Sequence, residues 1–287
     1  MKISVIIACY NAQDFIGEQM EALARQEYAG EWEVIVSDNG SKDGSVEVVE
    51  RYRRYLPNLI IVDSGDKKGA AHARNLGVMA ASGDVLLFCD ADDVVSSGWL
   101  SAMAKALHKH DFVAGAFEGE KLNSGLRSKG RSIKQTRSLQ EYNYPDFLPH
   151  AGGGNLGVRR YVHERVGGFD ETMPRLMDTD YCWRIQLAGF GLHFVPDAVL
   201  HMRLRNTLVG SLKQAHLWGR YNVSIYKKYR PHGMPPLKLE RAIRGWVQLI
   251  KALPLIRSRL QFDKWLRQFA WRLGRLEGCL RYRVMAF

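Results

Sequence analysis

Residues 83–93 read GDVLLFCDADD, an apolar run that stops at Asp90, Asp92 and Asp93. Leu86 to Cys89 have the unbroken apolarity of a short strand buried on both faces. Carboxylates crowded at the mouth of such a strand repel one another unless positive charge sits among them. If the chain stays extended, side chains alternate, so Asp90 and Asp92 share a side and Asp93 points away or into the next turn. Two converging carboxylates make a hard oxygen half-site suited to Mg2+ or Mn2+. The plainer alternative is that these acids cap the element that follows, Ser96 to His108, or lie exposed.

Upstream the same plan recurs. KISVIIACY gives way after Tyr10-Asn11 to a helical pattern through Phe15, Met20 and Leu23. Val34 to Val36 lead into the turn-rich Asp38 to Gly44 and a helix over Val46–Tyr55. NLIIVDSG is a third strand, and KKGAAHARNLGVMAAS reads as the helix before the fourth. Strands alternating with helices predict an α/β fold, a mainly parallel sheet with helices on both faces. Ligands then belong at the carboxyl ends of the strands, where Tyr10-Asn11, Asp38 to Ser41 and Asp90 to Asp93 all fall.

Downstream, Glu118 to His150 is polar and basic and reads as a mobile loop. The glycines of HAGGGNLGVRR allow another molecule close to the backbone. MDTDYCWRIQLAGFGLHFV predicts a helix from about Asp178 to Ala188 and a strand around His193 to Val195. The tail from about Leu208 is helical in pattern. Leu239, Ile243, Trp246, Val247, Ile250 and Leu253 form one apolar stripe, and Phe262 to Leu280 carry a second, with Arg and Lys opposite.

The 287 residues, 46% apolar and 25% charged, suit one large domain or a domain with an appendage. The short apolar run at the N-terminus, broken by Asn11 and Asp14, predicts neither a signal peptide nor a membrane span. Cys9, Cys89, Cys182 and Cys279 lack disulfide-framework or zinc spacing and read as reduced, buried thiols of a cytosolic protein. The charge of +11 is unevenly placed: from Arg203 onward there are 19 Lys and Arg against three acids, leaving 22 basic and 27 acidic residues before it. An acidic body and a basic tail suggest two jobs for two regions, 1–207 and 208–287. The tail suits the inner face of an anionic membrane or packing onto the body. No nucleic-acid reading module accompanies the charge.

Over roughly residues 1–205 the chain resembles the family 2 glycosyltransferases of the GT-A fold. The resemblance is carried by SVIIACYNAQ, VIVSDNGSKDGS, KGAAHARNLGVMAASGDVLLFCDADD, GGGNLGVRR, GGFDE and MDTDYCWRIQLAGF with His201 downstream. It implies inverting transfer of a sugar from a nucleotide donor, a UDP-sugar, to an acceptor hydroxyl on a glycan, lipid-linked or envelope precursor. By position, Ala8 and Tyr10 would line the base pocket and Asp38 would accept from the base; Lys68 and Arg74 would meet donor phosphate or position the acids, or serve as surface and packing residues. Asp90 with Ala91 would contact the donor, and Asp90, Asp92 and His201 would hold Mn2+ or Mg2+. Where the family has Glu-Asp this chain has Met177-Asp178, so Asp178 would be the base, unless it and Asp180 only start a helix. Gly153, Gly154, Asn155, Asp180 and Trp183 would lie on the acceptor side, Trp183 being equally a core residue. The Q-x-x-R-W motif of processive synthases is absent from this sequence, which implies single additions. A polyprenyl-phosphate sugar synthase and an inactive nucleotide-sugar binder are the alternatives.

Overall fold

The computed structural model describes residues 1–56, 58–123, 133–204 and 207–286. They form two compact units. The first comprises 1–123, 133–140 and 149–203, and the second 141–148 with the chain from Leu204. Residues 124–132, most of the basic core of the expected mobile loop, lie outside the described residues.

The first unit is built on β1 (Ile3–Cys9), β2 (Trp32–Asp38), β3 (Leu59–Asp63) and β4 (Val85–Asp90), separated by α1 (Ile16–Ala24), α2 (Ser45–Glu50) and α3 (Ala70–Ala80). Then come β5 (Val94–Val95), α4 (Trp99–Leu107), β6 (Phe112–Glu118), β7 (Asn155–Arg159), α5 (Arg160–Arg165), α6 (Met177–Leu187) and β8 (Leu192–His201). One sheet runs in the order β3-β2-β1-β4-β7-β6-β8-β5. The β3-β2-β1-β4 half is parallel, whereas β7 lies antiparallel to both β4 and β6. The α/β sheet expected from alternating apolar runs is therefore present, with a mixed half beyond β4.

Periodicity explains the layers. In α1 the buried positions are Ile16, Gln19, Met20 and Leu23, one face of a helix turned onto the sheet. β1, β4 and β6 are buried almost throughout, as strands covered on both faces must be. β8 runs well past the expected Val195 to His201, because an irregularity opposite Gly115/Ala116 takes up Pro196, Asp197 and Ala198 and lets pairing with β6 resume at Val199. The register sets the site: Ala8 pairs with Asp90 and Cys9 with Asp38, so the ends of β2 and β4 flank the end of β1. All four cysteines are buried and free, and burial pushes the Cys9 thiol up to about 12.

The second unit contains α7 (Leu208–Tyr229), α8 (Leu239–Ala252) and α9 (Arg259–Tyr282). Thr207 and Ser258 cap the starts of α7 and α9 by accepting from Gly210 N and Gln261 N. α7 and α9 meet backbone to backbone. A Cβ on Gly274 would lie 1.9 Å from the His216 carbonyl oxygen, and one on Gly219 2.0 Å from that of Trp271. Glu277 then accepts from both His216 and Arg220 across the same contact. No described helix is long and apolar enough to cross a membrane.

Because side chains at this crossing have no room, Gly274→Val should prise α7 from α9. Urea unfolding is expected to register a loss of about 1–3 kcal/mol or more, the usual range for overpacking. An unchanged midpoint would mean that the helices do not pack this closely.

Candidate active site

The loops at the carboxyl edge are braced by their own side chains. After β1, Asn11 N donates to Ser41 Oγ, Ala12 N to Ser45 Oγ and Gln13 N to Asp43, while Lys42 N donates to Asn11 Oδ1. Asn39 ties together three segments. Its Nδ2 donates to the carbonyls of Ser64 and Lys67, and its Oδ1 accepts from Gly69 N. An aspartate could not donate to those two carbonyls, a physical reason for amide where the resembled family often has a second acid. Asp38 is 8% exposed; its Oδ2 accepts from Ser41 N, but its buried Oδ1 has no partner. Tyr10 is half exposed beside it in sequence register, and Ala8 is partly covered.

The acidic cluster is arranged differently from a simple strand alternation. β4 ends at Asp90 and the chain turns at Ala91-Asp92, so Asp92 faces solvent and Asp93 is buried. A Cβ on Gly154 would come 2.7 Å from Asp90 Oδ2 and 3.6 Å from Asp93 Oδ2, so these two carboxylates share one small space. Burial first, then the charges of Asp90 and Asp92, push Asp93 well above the usual carboxylate range. Its Oδ1 accepts from Arg203 N. Arg74, 2% exposed, donates from Nη2 to Asp90 Oδ1 at 2.5 Å, while its Nε and Nη1 are buried without a partner.

These crowded carboxylate oxygens fit a hard divalent ion that keeps most of its shell for water and phosphate. Among the described residues no three His, Cys, Asp or Glu side chains make a ready cage. The fit is thus to an ion arriving with a phosphate ligand. His201 pairs with Val94 across β5 and β8, one residue beyond Asp93. Its Nδ1 lies 2.6 Å from Glu118 Oε2, the carboxylate contact that orients a metal-binding imidazole through its other nitrogen.

Asp178 opens α6 on the far side of the glycines. Its Oδ2 accepts from Gly153 N at 3.2 Å and its Oδ1 from Thr179 N, and a Cβ on Gly153 would lie 3.0 Å from Arg74 Nη1. Burial raises the Asp178 carboxyl above its ordinary range despite those N–H groups and Arg74. Arg74, Asp90, Gly153, Gly154 and Asp178 thus surround one point. Lys68 stands exposed on the loop before α3.

Three expected acceptor-side residues are occupied elsewhere. Asn155 is fully buried, accepting from Trp99 Nε1 and donating to the carbonyls of Ala116 and Ala198. Asp180 is fully buried against Arg184 at 2.8 Å. Trp183 is fully buried, so neither face of its ring is open to a sugar. The helix phase of α6 turns Thr179 to Trp183 and Ile185 into the core and leaves Leu187 exposed.

Two positioning residues escaped the sequence reading. Gln19, on the buried face of α1, holds the acidic turn by accepting from Val95 N and donating to the Asp90 carbonyl. A glutamine at a core phase of an apolar helix was the available signal. Arg203 was counted with the basic tail, yet it donates to the Asp92 carbonyl and to Glu18 and lies 4.7 Å over the Phe15 ring.

The sequence profile described as glycosyl transferase family 2 matches residues 4–167. The uncharacterized glycosyltransferase YwdF of Bacillus subtilis is 32% identical over 189 residues, 64% of this chain and 68% of that protein. With several other relatives the match spans less than two thirds of their length. The mannosyltransferase PcManGT of Pyrobaculum calidifontis, solved with GDP-Man and Mn2+, superposes with a TM-score of 0.61 at 20% identity, covering 98% of this chain and 74% of that one. TarS 1–349 of S. aureus, solved with UDP-GlcNAc, gives 0.60 at 19% identity over 99% and 93%. At that identity the structural likeness speaks for the GT-A fold. With its profile match over more than half its length, the chain belongs to glycosyl transferase family 2.

Proposed function

We propose that this chain transfers a glycosyl group with inversion from a UDP-sugar to an acceptor hydroxyl, with Mn2+ or Mg2+ as cofactor. One observation carries the reading: the buried, unpartnered Asp38 Oδ1 and the Asp90–Asp93 cluster lie on the same sheet edge, on strands separated only by β1. Two strand spacings are about 10 Å, a span suited to a nucleoside whose base lies at one end and whose diphosphate lies at the other. PcManGT with GDP-Man and Mn2+ and TarS with UDP-GlcNAc support donors of this class.

In this reading Asp38 Oδ1 accepts the base N–H while Ala8 and Tyr10 line the pocket. Asp90, Asp92 and His201 are the residues that would hold the cation, with Ala91 at the donor. When bound, the cation neutralises charge on the departing diphosphate. Arg74 holds Asp90 in place for the donor, and Lys68, exposed on the loop before α3, meets donor phosphate. Asp178 takes the acceptor proton, and its raised carboxyl makes it a stronger base than an exposed aspartate. Gly153 and Gly154, lacking Cβ atoms, let Arg74, Asp178 and Asp90 close on the place of the sugar.

Purified protein incubated with UDP-sugars and Mn2+ should release UDP, and a chelator should stop the release. Binding without turnover across the donor panel would leave a nucleotide-sugar binder instead. Asp178→Asn should lower turnover about 10²–10⁴-fold while a thermal shift with UDP and Mn2+ persists.

The pH dependence has a defined sign. Asp178 works deprotonated, so turnover falls as pH drops through its raised value, placing the acid limb above the ordinary aspartate range near 4. A limb at or below that range would remove Asp178 as the base.

Gly154→Ala should push Asp90 Oδ2 from its place and weaken Mn2+-dependent UDP binding about tenfold or more. Unaltered binding would show that Asp90 does not work from this position.

A further inference from the structure

We infer that α8 and the turn after it form a docking surface for the interface of an anionic lipid bilayer. The apolar arc of α8 is wider than the part its own unit covers. Ala242, Gly245 and Leu249 are buried on one side, where Trp265 Nε1 donates to the Leu249 carbonyl and Trp246 packs edge-on to Phe269. A second set, Leu239, Ile243, Val247 and Ile250, is 41–67% exposed at spacings of four, four and three, and it continues into Leu253 and Leu255. At about 100° per residue the two sets point in directions about 120° apart, so packing on α9 does not account for the second.

Charge selects the occupant. From Lys238 to Arg259 six Lys and Arg stand against the single acid Glu240, and all six cations are exposed. Arg244 and Lys251 fall on the wheel just beyond Val247, where their stems run along the apolar edge and their charges reach outward. Aliphatic side chains edged by cations, with no helix able to span, match a helix lying in the plane of an anionic interface. A second copy of the chain would oppose the same cations to one another, against the usual complementarity of an interface. The same unit has a further apolar trough of about 460 Å³ between α7 and α9, lined by Leu212, Leu217, Leu266 and Phe269. It adds to the apolar surface of this unit.

This surface rests on its own observations, so its test is separable from that of sugar transfer. Full-length protein is floated with vesicles of phosphatidylcholine alone and of phosphatidylcholine with phosphatidylglycerol. Wild type should float with the anionic vesicles only. Ile243→Ser/Ile250→Ser/Leu255→Ser and, separately, Arg244→Glu/Lys251→Glu should each lower the partition coefficient about tenfold or more. Both variants should keep the wild-type melting temperature and UDP release. No flotation of wild type, or undiminished flotation of the serine variant, would overturn the surface. So would a serine variant whose only change is a smaller oligomer by light scattering, since that assigns the stripe to a protein contact.

Discussion

Arg74 carries a full charge into the first unit with its side chain 3% exposed, and the acidic end of β4 is organised around it. Removing a guanidinium from water costs several kcal/mol, on the order recovered only when its hydrogen bonds are well satisfied. Here one nitrogen meets Asp90, the Phe169 ring lies 5.4 Å from the guanidinium carbon, and two nitrogens have no partner. Stability alone would favour an apolar residue at such a position. What Arg74 supplies is positive charge between two carboxylates, Asp90, which it contacts, and Asp178, whose carboxyl it pulls down against burial.

That constraint explains the glycines. Gly153 and Gly154 are where β7 approaches, and a side chain at either would strike Arg74, Asp178 or Asp90. The triple glycine was read from the sequence as space for another molecule. The structure adds that much of this space is already used to let an arginine and two acids face one another. The same need is met from outside: Gln19 of α1 holds the backbone at Asp90 and Val95, on either side of Asp92, and Arg203 holds the carbonyl of Asp92 itself.

The parallel half of the sheet was readable because its strands are buried on both faces and alternate with helices, a pattern that needs no tertiary information. The mixed half was harder: β6 is FVAGAFE, β7 only five residues, and antiparallel insertion beside β4 depends on partners distant in sequence. The placement of Asp38 and Asp90 at strand ends was readable because an apolar run stops at each. Side-chain direction did not. Alternation failed at Ala91-Asp92 since the strand stops there, and Asn155, Asp180 and Trp183 face inward because strand and helix phase, not proximity in sequence, decides exposure. The close crossing of α7 and α9 was hidden for a related reason, as Gly219 and Gly274 acquire meaning only when the two helices are brought together.

Met177 stands where the resembled family places a second carboxylate, and the physics of Asp178 shows what that replacement changes. A neighbouring glutamate would raise the proton affinity of Asp178 by like-charge repulsion. Methionine contributes none of that, yet Asp178 is raised because it is desolvated at the start of α6, against the pull of Thr179 N, Gly153 N and Arg74. Basicity that a pair would owe to repulsion is owed here to burial. If Asp178 is the base, as proposed, a base tuned by burial would carry no second charge to the acceptor side, where position 177 supplies a neutral methionine in place of a carboxylate.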